Sequence, residues 1–212
     1  MFLNRKQAGY LLAEELEKRE LSFDLVLGIP RGGIVPAGII ARYFDIELDI
    51  LLSRKISSPS WDEPLIGAVA PDGKVIIPEH RQAYFPMEEE ICRVSVEETR
   101  KELIRQTRLY RSNRPPRNME GRAVLLVDDG IATGSTIAAS VDYLKRAGAA
   151  SIIIATPVCA QNVYDDLINQ VDHMVVLEVP ENLLAVGQFY QDFTAVEDHE
   201  IIDILSPAIG KT

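Results

Sequence analysis

The sequence predicts an α/β fold in which a parallel sheet carries helices on both faces. Short runs rich in branched apolar residues, such as DLVLGI and SIIIATPV, are typical of strands that are buried on both faces. Longer amphipathic segments separate these runs, so that strands and helices alternate along the chain. With 212 residues, of which 47% are apolar, the chain is long enough to form one domain with a sizeable core.

The first quarter of the chain is predicted to supply two helices and two strands. An apolar stripe follows Asn4, a residue type that caps helix N-termini. Pro36 is compatible with a helix only in the first turn, where its missing N–H has no intrahelical partner to lose. Apolar runs of strand length stand on either side of that second helix. The predicted elements are helix 4–19, strand 24–29, helix 34–44 and strand 46–56.

The middle of the chain is predicted to be an insert into a single domain that spans residues 1–212. The insert covers about residues 57–119 and separates core segments of about 20–56 and 120–178. Within it, LIGAVA and KVIIP flank the turn residues PDG, a pattern typical of a β-hairpin. A long charged stretch over 87–111 then predicts one helix, which ends before two consecutive prolines.

The strand–helix alternation resumes in the last part of the chain. A strand over 123–129 leads into a helix that begins at TGST and ends at Gly148, a typical C-terminal glycine. SIIIATPV and HMVVLEV predict two further strands, with the short helix NVYDDLINQ between them. EDHEIIDIL predicts a terminal helix, for which Thr194 and Glu197 have the spacing of a capping box.

The formal net charge of −10 disfavours broad binding to nucleic acid, because such binding needs a positive surface. Basic residues are nevertheless concentrated over residues 100–122, where eight of them stand against only Glu102 and Glu120. Such a patch either draws an anionic small molecule towards the protein or forms a solvated helix face. The sequence leaves both interpretations open.

Several other protein classes are excluded by what the sequence lacks. No apolar run approaches the roughly 20 residues of a membrane-spanning helix. Cys92 and Cys159 are far apart and have no CxxC spacing, which disfavours a disulfide scaffold or a structural zinc site and indicates a cytoplasmic protein. Neither a GxSxG elbow nor a GxxxxGK[ST] loop is present, so an α/β-hydrolase or a P-loop kinase is disfavoured.

The segment VLLVDDGIATGSTI carries the clearest chemical signal. A buried strand ends in two adjacent carboxylates, Asp128 and Asp129, which we call the acidic pair. The small, hydroxyl-rich turn TGST follows and opens into a helix, whose N-terminus favours an anion. The arrangement suits a phosphate beside carboxylates that accept hydrogen bonds from sugar hydroxyls. The same residue types also occur as simple helix caps.

This segment resembles the phosphoribosyl diphosphate (PRPP) signature of the type I phosphoribosyltransferases. The resemblance extends to the PRGG loop (residues 30–33), where the family binds pyrophosphate, and to Ser53-Arg54-Lys55 after the next strand. VPENLLAVGQFYQDF resembles the family's hood over the base, here about residues 179–196. The chain is most similar to a bacterial group of predicted phosphoribosyltransferases with an unknown acceptor. The resemblance implies the type I fold with a small hood and a helical insert.

The resemblance also assigns roles to individual residues. It implies that Lys55, Arg31 and Asp129 are catalytic, that Asp128 and Asp129 hold Mg²⁺ largely through water and PRPP, and that the Pro30–Arg31 peptide is cis or otherwise strained. The implied PRPP-binding residues are Arg31, Gly32, Gly33, Arg54, Lys55, Asp128, Asp129, Ala132, Thr133, Gly134, Ser135 and Thr136. The implied base pocket consists of Ile131, Leu184, Val186 and Tyr190. Taken alone, the PRGG glycines also suit an ordinary tight turn, Arg54 and Lys55 plain strand-end charges, and Tyr190 core packing.

The function implied by the resemblance is transfer of ribose 5-phosphate from PRPP to a nitrogenous, nucleobase-like acceptor, with Mg²⁺ as cofactor and a homodimer as the assembly. The alternative is a regulator that keeps the fold and senses PRPP or a nucleotide without turnover. Ala132 stands where the 6-oxopurine enzymes carry an Asp for proton transfer, and Leu184 where they carry a base-stacking Phe. A 6-oxopurine acceptor is therefore disfavoured. A helix carrying Arg105, Arg108 and Arg111 is predicted to bring them towards a phosphate-bearing ligand or a partner subunit.

Overall fold

The computed structural model describes residues 1–57, 65–76, 89–112 and 114–206. Its centre is a parallel five-stranded sheet, formed by β1 (Leu25–Gly28), β2 (Glu47–Ile50), β6 (Ala123–Val127), β7 (Ser151–Val158) and β8 (His173–Glu178). The strand order is β2-β1-β6-β7-β8. The predicted α/β class, with a parallel sheet, is confirmed.

The helices are α1 (Arg5–Lys18), α2 (Ile34–Phe44), α3 (Glu89–Arg111), α4 (Ser135–Arg146), α5 (Gln161–Leu167) and α6 (Asp198–Leu205). They cover both faces of the sheet, because successive strand residues point to opposite faces. On one face, Val26 and Leu125 pack in a cluster with helices α1, α2 and α6. On the other, Leu27 and Leu126 pack in a cluster with helices α4 and α5.

A second, antiparallel sheet of three strands lies beside the first, formed by β3 (Arg54–Ser57), β4 (Leu65–Val69) and β5 (Val75–Ile76). The predicted hairpin is therefore present as β4 and β5. The prediction of one strand over 46–56 was wrong, because the parallel strand ends at Ile50 and a new strand begins at Arg54 in the other sheet. Residues 51–53 are buried without belonging to either strand.

Most of the helix ends agree with the predictions made from the sequence. The Asn4 side chain accepts a hydrogen bond from the Gln7 amide, as expected for an N-cap. Pro36 lies in the first turn of α2. The capping box of α6 consists of Glu197 and Glu200, not of Thr194 and Glu197, so this prediction was wrong by three residues. In the described part of the chain, no helix is long and apolar enough to cross a membrane.

Candidate PRPP site at the carboxyl edge of the sheet

A cleft of about 600 Å³ lies where β1, β2 and β6 end. Open parallel sheets place their ligands at this edge, because the loops that follow neighbouring strands meet there. The cleft is lined by Ile29, Pro30, Arg31, Gly32, Leu52, Ser53, Arg54, Glu102, Gln106, Asp128, Asp129 and Thr136. Six of the residues predicted to bind PRPP thus share one cavity: Arg31, Gly32, Arg54, Asp128, Asp129 and Thr136.

The PRGG loop follows β1, and its Pro30–Arg31 peptide is cis, as predicted. A Cβ atom at Gly33 would stand 2.6 Å from the Ile29 carbonyl oxygen and 2.7 Å from the Asp128 Cα. Only glycine allows the loop to pass this close to the end of β6. The Arg31 guanidinium stands 3.5 Å from Asp198 at the start of α6, and both side chains are partly exposed.

Asp129 is the more constrained member of the acidic pair. Its Oδ2 accepts a hydrogen bond of 2.6 Å from Arg5 Nε at the start of α1. The same oxygen lies so close to Gly32 that any Cβ atom there would overlap it. The Asp128 Oδ1 accepts the backbone N–H of Asp129 and thereby shapes the turn after β6. One arginine thus holds the Asp129 carboxylate against the PRGG loop.

The TGST turn connects the acidic pair to α4. Gly134 occupies the left-handed region at φ 70°, and α4 begins at the next residue. The first amide groups of a helix have no intrahelical acceptor, so this end of α4 suits an anion. Thr136 lines the cleft, Ser135 is the first residue of α4, and Ala132, Thr133 and Gly134 lie in the turn before it.

The predicted hood contacts the acidic turn through Tyr190 and Val186. Tyr190 is buried, and its hydroxyl donates a hydrogen bond of 2.7 Å to the Asp129 carbonyl. Burial and the nearby Asp129 charge raise the pKa of Tyr190, so the phenol stays protonated. Val186 packs so closely on Gly130 that no Cβ atom fits there.

Of the other predicted base-pocket residues, Ile131 is buried beside Cys159 and Leu184 is 86% exposed. The four residues therefore do not line one closed pocket. Leu184 projects from the surface of the hood, while Tyr190 and Ile131 pack inside.

Helix α3 forms the outer wall of the cleft. Gln106 is buried, and its side-chain oxygen accepts a hydrogen bond of 3.0 Å from Arg54. Glu102 lies 3.8 Å from Arg54. The hydrogen bond from Arg105 is the largest cause that lowers the pKa of Glu102, and the charges of Arg54 and Arg31 add to it. The backbone of Lys55 pairs with Ala68, and its side chain lies outside the described part of the structure.

The phosphoribosyl transferase domain model matches residues 4–194, and this range contains the cleft and most of the hood. The chain belongs to the phosphoribosyl transferase family. A Mycobacterium tuberculosis H37Rv protein named "Putative phosphoribosyl transferase" is 30% identical over 208 residues, which cover 98% of this chain and 47% of the relative. The chain thus spans about half the length of that relative.

A solved structure supports the same family fold. The crystal structure of TT1426 from Thermus thermophilus is 35% identical, covers 96% of this chain and 97% of its own, and superposes with a TM-score of 0.81. A hypothetical protein from Neisseria gonorrhoeae with bound ppGpp is 12% identical, covers 94% and 91% of the two chains, and superposes with a TM-score of 0.50. At that identity the likeness shows the fold alone.

The arginines of helix α3 do not form the predicted phosphate-binding face. Arg111 turns inward, where its Nε lies 3.0 Å from Asp49 Oδ1 and its Nη2 donates to the Ile50 carbonyl. Arg105 pairs with Glu102, one turn earlier on the same helix. Arg108 is exposed. None of the three lines the described cleft. Arg111 anchors α3 to β2, and Arg105 pairs with Glu102, which itself lines the cleft.

Sequence reasoning missed four contributors to the surroundings of the cleft: Arg5, Gln106, Asp198 and Tyr110. The Tyr110 hydroxyl donates a hydrogen bond of 2.6 Å to Asp198, and burial, followed by this bond, raises its pKa to about 12. Only Arg5 carried a signal in the sequence. A first helical turn usually favours acidic residues, yet α1 begins with Arg5 and Lys6.

Proposed function

We propose that the chain transfers ribose 5-phosphate from PRPP to a nitrogenous acceptor and releases pyrophosphate. The observation that carries the proposal is the single cleft into which the PRGG loop, Arg54, the acidic pair and the start of α4 converge. In the reaction the bond between the anomeric carbon and a pyrophosphate oxygen breaks, and a bond from that carbon to the acceptor nitrogen forms. Positive charge develops on the sugar while negative charge accumulates on the leaving group.

The residues around the cleft match these charges. Arg31, Arg54 and the backbone amides of the PRGG loop suit the pyrophosphate, because fixed donors stabilise a developing anion without reorganisation. The N-terminus of α4 with the TGST turn suits the 5-phosphate. Asp128 and Asp129 suit the ribose hydroxyls. The Lys55 side chain is proposed to contact the pyrophosphate as well, on the basis of the sequence resemblance alone.

The donor set also fits Mg²⁺. In the described residues, no cluster of three or more acidic, histidine or cysteine side chains forms a dedicated metal cage. Mg²⁺ is commonly bound by one or two carboxylates together with water and substrate phosphate oxygens, which the acidic pair and PRPP offer jointly. When bound, the ion would neutralise the pyrophosphate leaving group. Asp128 and Asp129 would hold it.

Replacing Asp128 with Asn is expected to weaken binding of PRPP in the presence of Mg²⁺ about ten- to a hundred-fold. The substitution removes one hydrogen-bonded charged contact, which is worth about 1.5–3 kcal/mol. Isothermal titration calorimetry measures the change directly and does not require the acceptor. Asp203→Asn is the matched control, because Asp203 is an exposed carboxylate on α6. Equal affinity of Asp128→Asn and the unaltered protein would contradict the proposal.

A pyrophosphate-release screen with PRPP and a panel of nucleobases distinguishes turnover from sensing. The transferase proposal expects release that depends on one acceptor. Tight PRPP binding without release for any nitrogenous acceptor would favour the alternative, a protein that senses PRPP or a nucleotide.

Hypoxanthine and guanine are expected to be poor acceptors in that screen. Ala132 can neither donate nor accept a proton at the position implied to face the purine. Leu184 is exposed on the hood and offers no aromatic stacking, which is worth about 0.5–1.5 kcal/mol. Initial rates with each purine at saturating PRPP test the expectation. Turnover of hypoxanthine as fast as that of the best acceptor would contradict it.

A further inference from the structure

Arg5 lies where helix α1, the acidic pair and the hood meet, and none of the sequence motifs includes it. It is the first residue of α1, and its side chain is only 11% exposed. Three contacts hold it: Nε to Asp129 Oδ2 at 2.6 Å, Nη1 to the Thr194 carbonyl at 2.8 Å, and the guanidinium carbon 3.8 Å from the centre of the Phe193 ring. One side chain therefore touches both the acidic pair and the hood.

A continuous series of contacts runs from Arg5 through the hood and back to Asp129. Phe193 stacks on Tyr190 with ring centres 4.9 Å apart, and the Tyr190 hydroxyl donates to the Asp129 carbonyl. The segment before α1 adds backbone hydrogen bonds to the hood, from the Phe2 amide to the Phe189 carbonyl and from the Gln191 amide to the Phe2 carbonyl. The carboxylate of Asp129 is thus held by α1 and its carbonyl by the hood.

We propose that Arg5 is the positioning residue for Asp129 in PRPP binding, a role that rests on the proposed function. A carboxylate has about four acceptor sites, so Oδ2 can remain with Arg5 while the side chain, which lines the cleft, accepts a ribose hydroxyl. The positive charge of Arg5 also reduces the repulsion between the two adjacent carboxylates. Because Arg5 holds Thr194 and Phe193 as well, it couples the position of the hood to that of the acidic pair.

The chemistry of the junction favours arginine over lysine. The planar guanidinium stacks on Phe193 while two of its nitrogens donate in different directions. A lysine supplies the charge but cannot make both directed contacts and the stacking at once. Arg5→Lys is therefore expected to restore part of the function that Arg5→Met removes.

A double-mutant cycle with calorimetry of PRPP and Mg²⁺ tests the role. Arg5→Met is expected to weaken binding about tenfold, and Arg5→Lys less than that. The double variant Arg5→Met/Asp129→Asn is expected to bind no more weakly than Asp129→Asn alone, because Arg5 acts through Asp129. Lys6→Met is the matched control, since Lys6 is the exposed neighbour of Arg5 and is expected to leave binding unchanged.

The outcomes separate this inference from the proposed function. Additive losses in the double variant would assign Arg5 a general structural role and overturn the inference. Unchanged binding of PRPP by Arg5→Met would also overturn the inference. Tighter binding by Arg5→Met would overturn it too, because Arg5 would then compete with the ribose for Asp129. Thermal unfolding of each variant identifies any that fail to fold, and Arg5→Lys then supplies the comparison. Failure of the unaltered protein to bind PRPP would overturn the proposed function and this inference with it.

Discussion

Replacing Arg111 with Met is expected to lower the free energy of unfolding by about 3–5 kcal/mol, the usual result of removing one partner of a buried ion pair. Arg111 and Asp49 are each 9% exposed at the side chain, with Nε 3.0 Å from Oδ1. Asp49 also accepts the backbone N–H groups of Ile50 and Arg117. Without the guanidinium, the largely buried Asp49 carboxylate would lose the side chain that pairs with it.

Two further variants identify the source of that loss. Arg108→Met removes an exposed arginine from the same helix and is expected to change stability by less than about 0.5 kcal/mol. The double variant Arg111→Met/Asp49→Asn is expected to be more stable than Arg111→Met, because no unpaired charge remains buried. Chemical denaturation measures all three. If Arg111→Met and Arg108→Met had equal free energies of unfolding, the ion pair between Arg111 and Asp49 would not contribute to stability.

The local sequence pattern was sufficient to predict the structure wherever one short segment contained both a secondary-structure element and the residues of its chemistry. Strand β6 and the TGST turn were predictable because a continuous apolar run, a carboxylate pair and a helix start follow one another directly, although the strand ends at Val127 rather than at residue 129. The two faces of the sheet follow from alternation, since Leu25 and Leu27 join one cluster and Val26 the other. The family resemblance added the role of the PRGG loop, which composition alone does not reveal.

The sequence did not show which strand belongs to which sheet. Residues 46–56, IELDILLSRKI, read as one strand-like segment, and no glycine or proline marks the break at residues 51–53. The break is defined by tertiary contacts, including the hydrogen bond of 3.0 Å between the buried Ser53 and Ser140 hydroxyls. Those two residues are 87 positions apart, and periodicity carries no information about such a pair.

The ion pairs near the cleft and beneath helix α3 could not be predicted from the sequence either. Arg5 and Asp129 are separated by 124 residues, and Arg111 and Asp49 by 62. A basic stretch on a helix is compatible with a phosphate site, a solvated face or internal ion pairs. Only the packing of α3 against β2 shows that Arg111 points inward while Arg108 remains exposed.

The Gly32→Ala variant is expected to lose more than about a hundred-fold in affinity for PRPP with Mg²⁺. A Cβ atom at this position would overlap Asp129 Oδ2 and stand 2.9 Å from Arg5 Nε. The overlap is with the end of a side chain, so the fold can adjust by moving the carboxylate. That movement separates Asp129 from Arg5 and shifts the PRGG loop, so contacts to the ribose and to the pyrophosphate are lost together. A loss of a hundred-fold corresponds to about 2.7 kcal/mol.

The matched control for Gly32→Ala is Gly121→Ala, in the turn before β6. Gly121 has φ 72°, and a Cβ atom added there would meet no atom within 4 Å, so alanine strains the backbone without touching the cleft. Its stability is expected to fall by about 1 kcal/mol while PRPP affinity stays unchanged. Gly32→Ala is expected to show the opposite pattern, with little loss of unfolding temperature and a large loss of affinity. Calorimetry and thermal unfolding of the two variants decide the matter: if Gly32→Ala binds PRPP as tightly as Gly121→Ala does, the contact between the PRGG loop and Asp129 plays no part in binding.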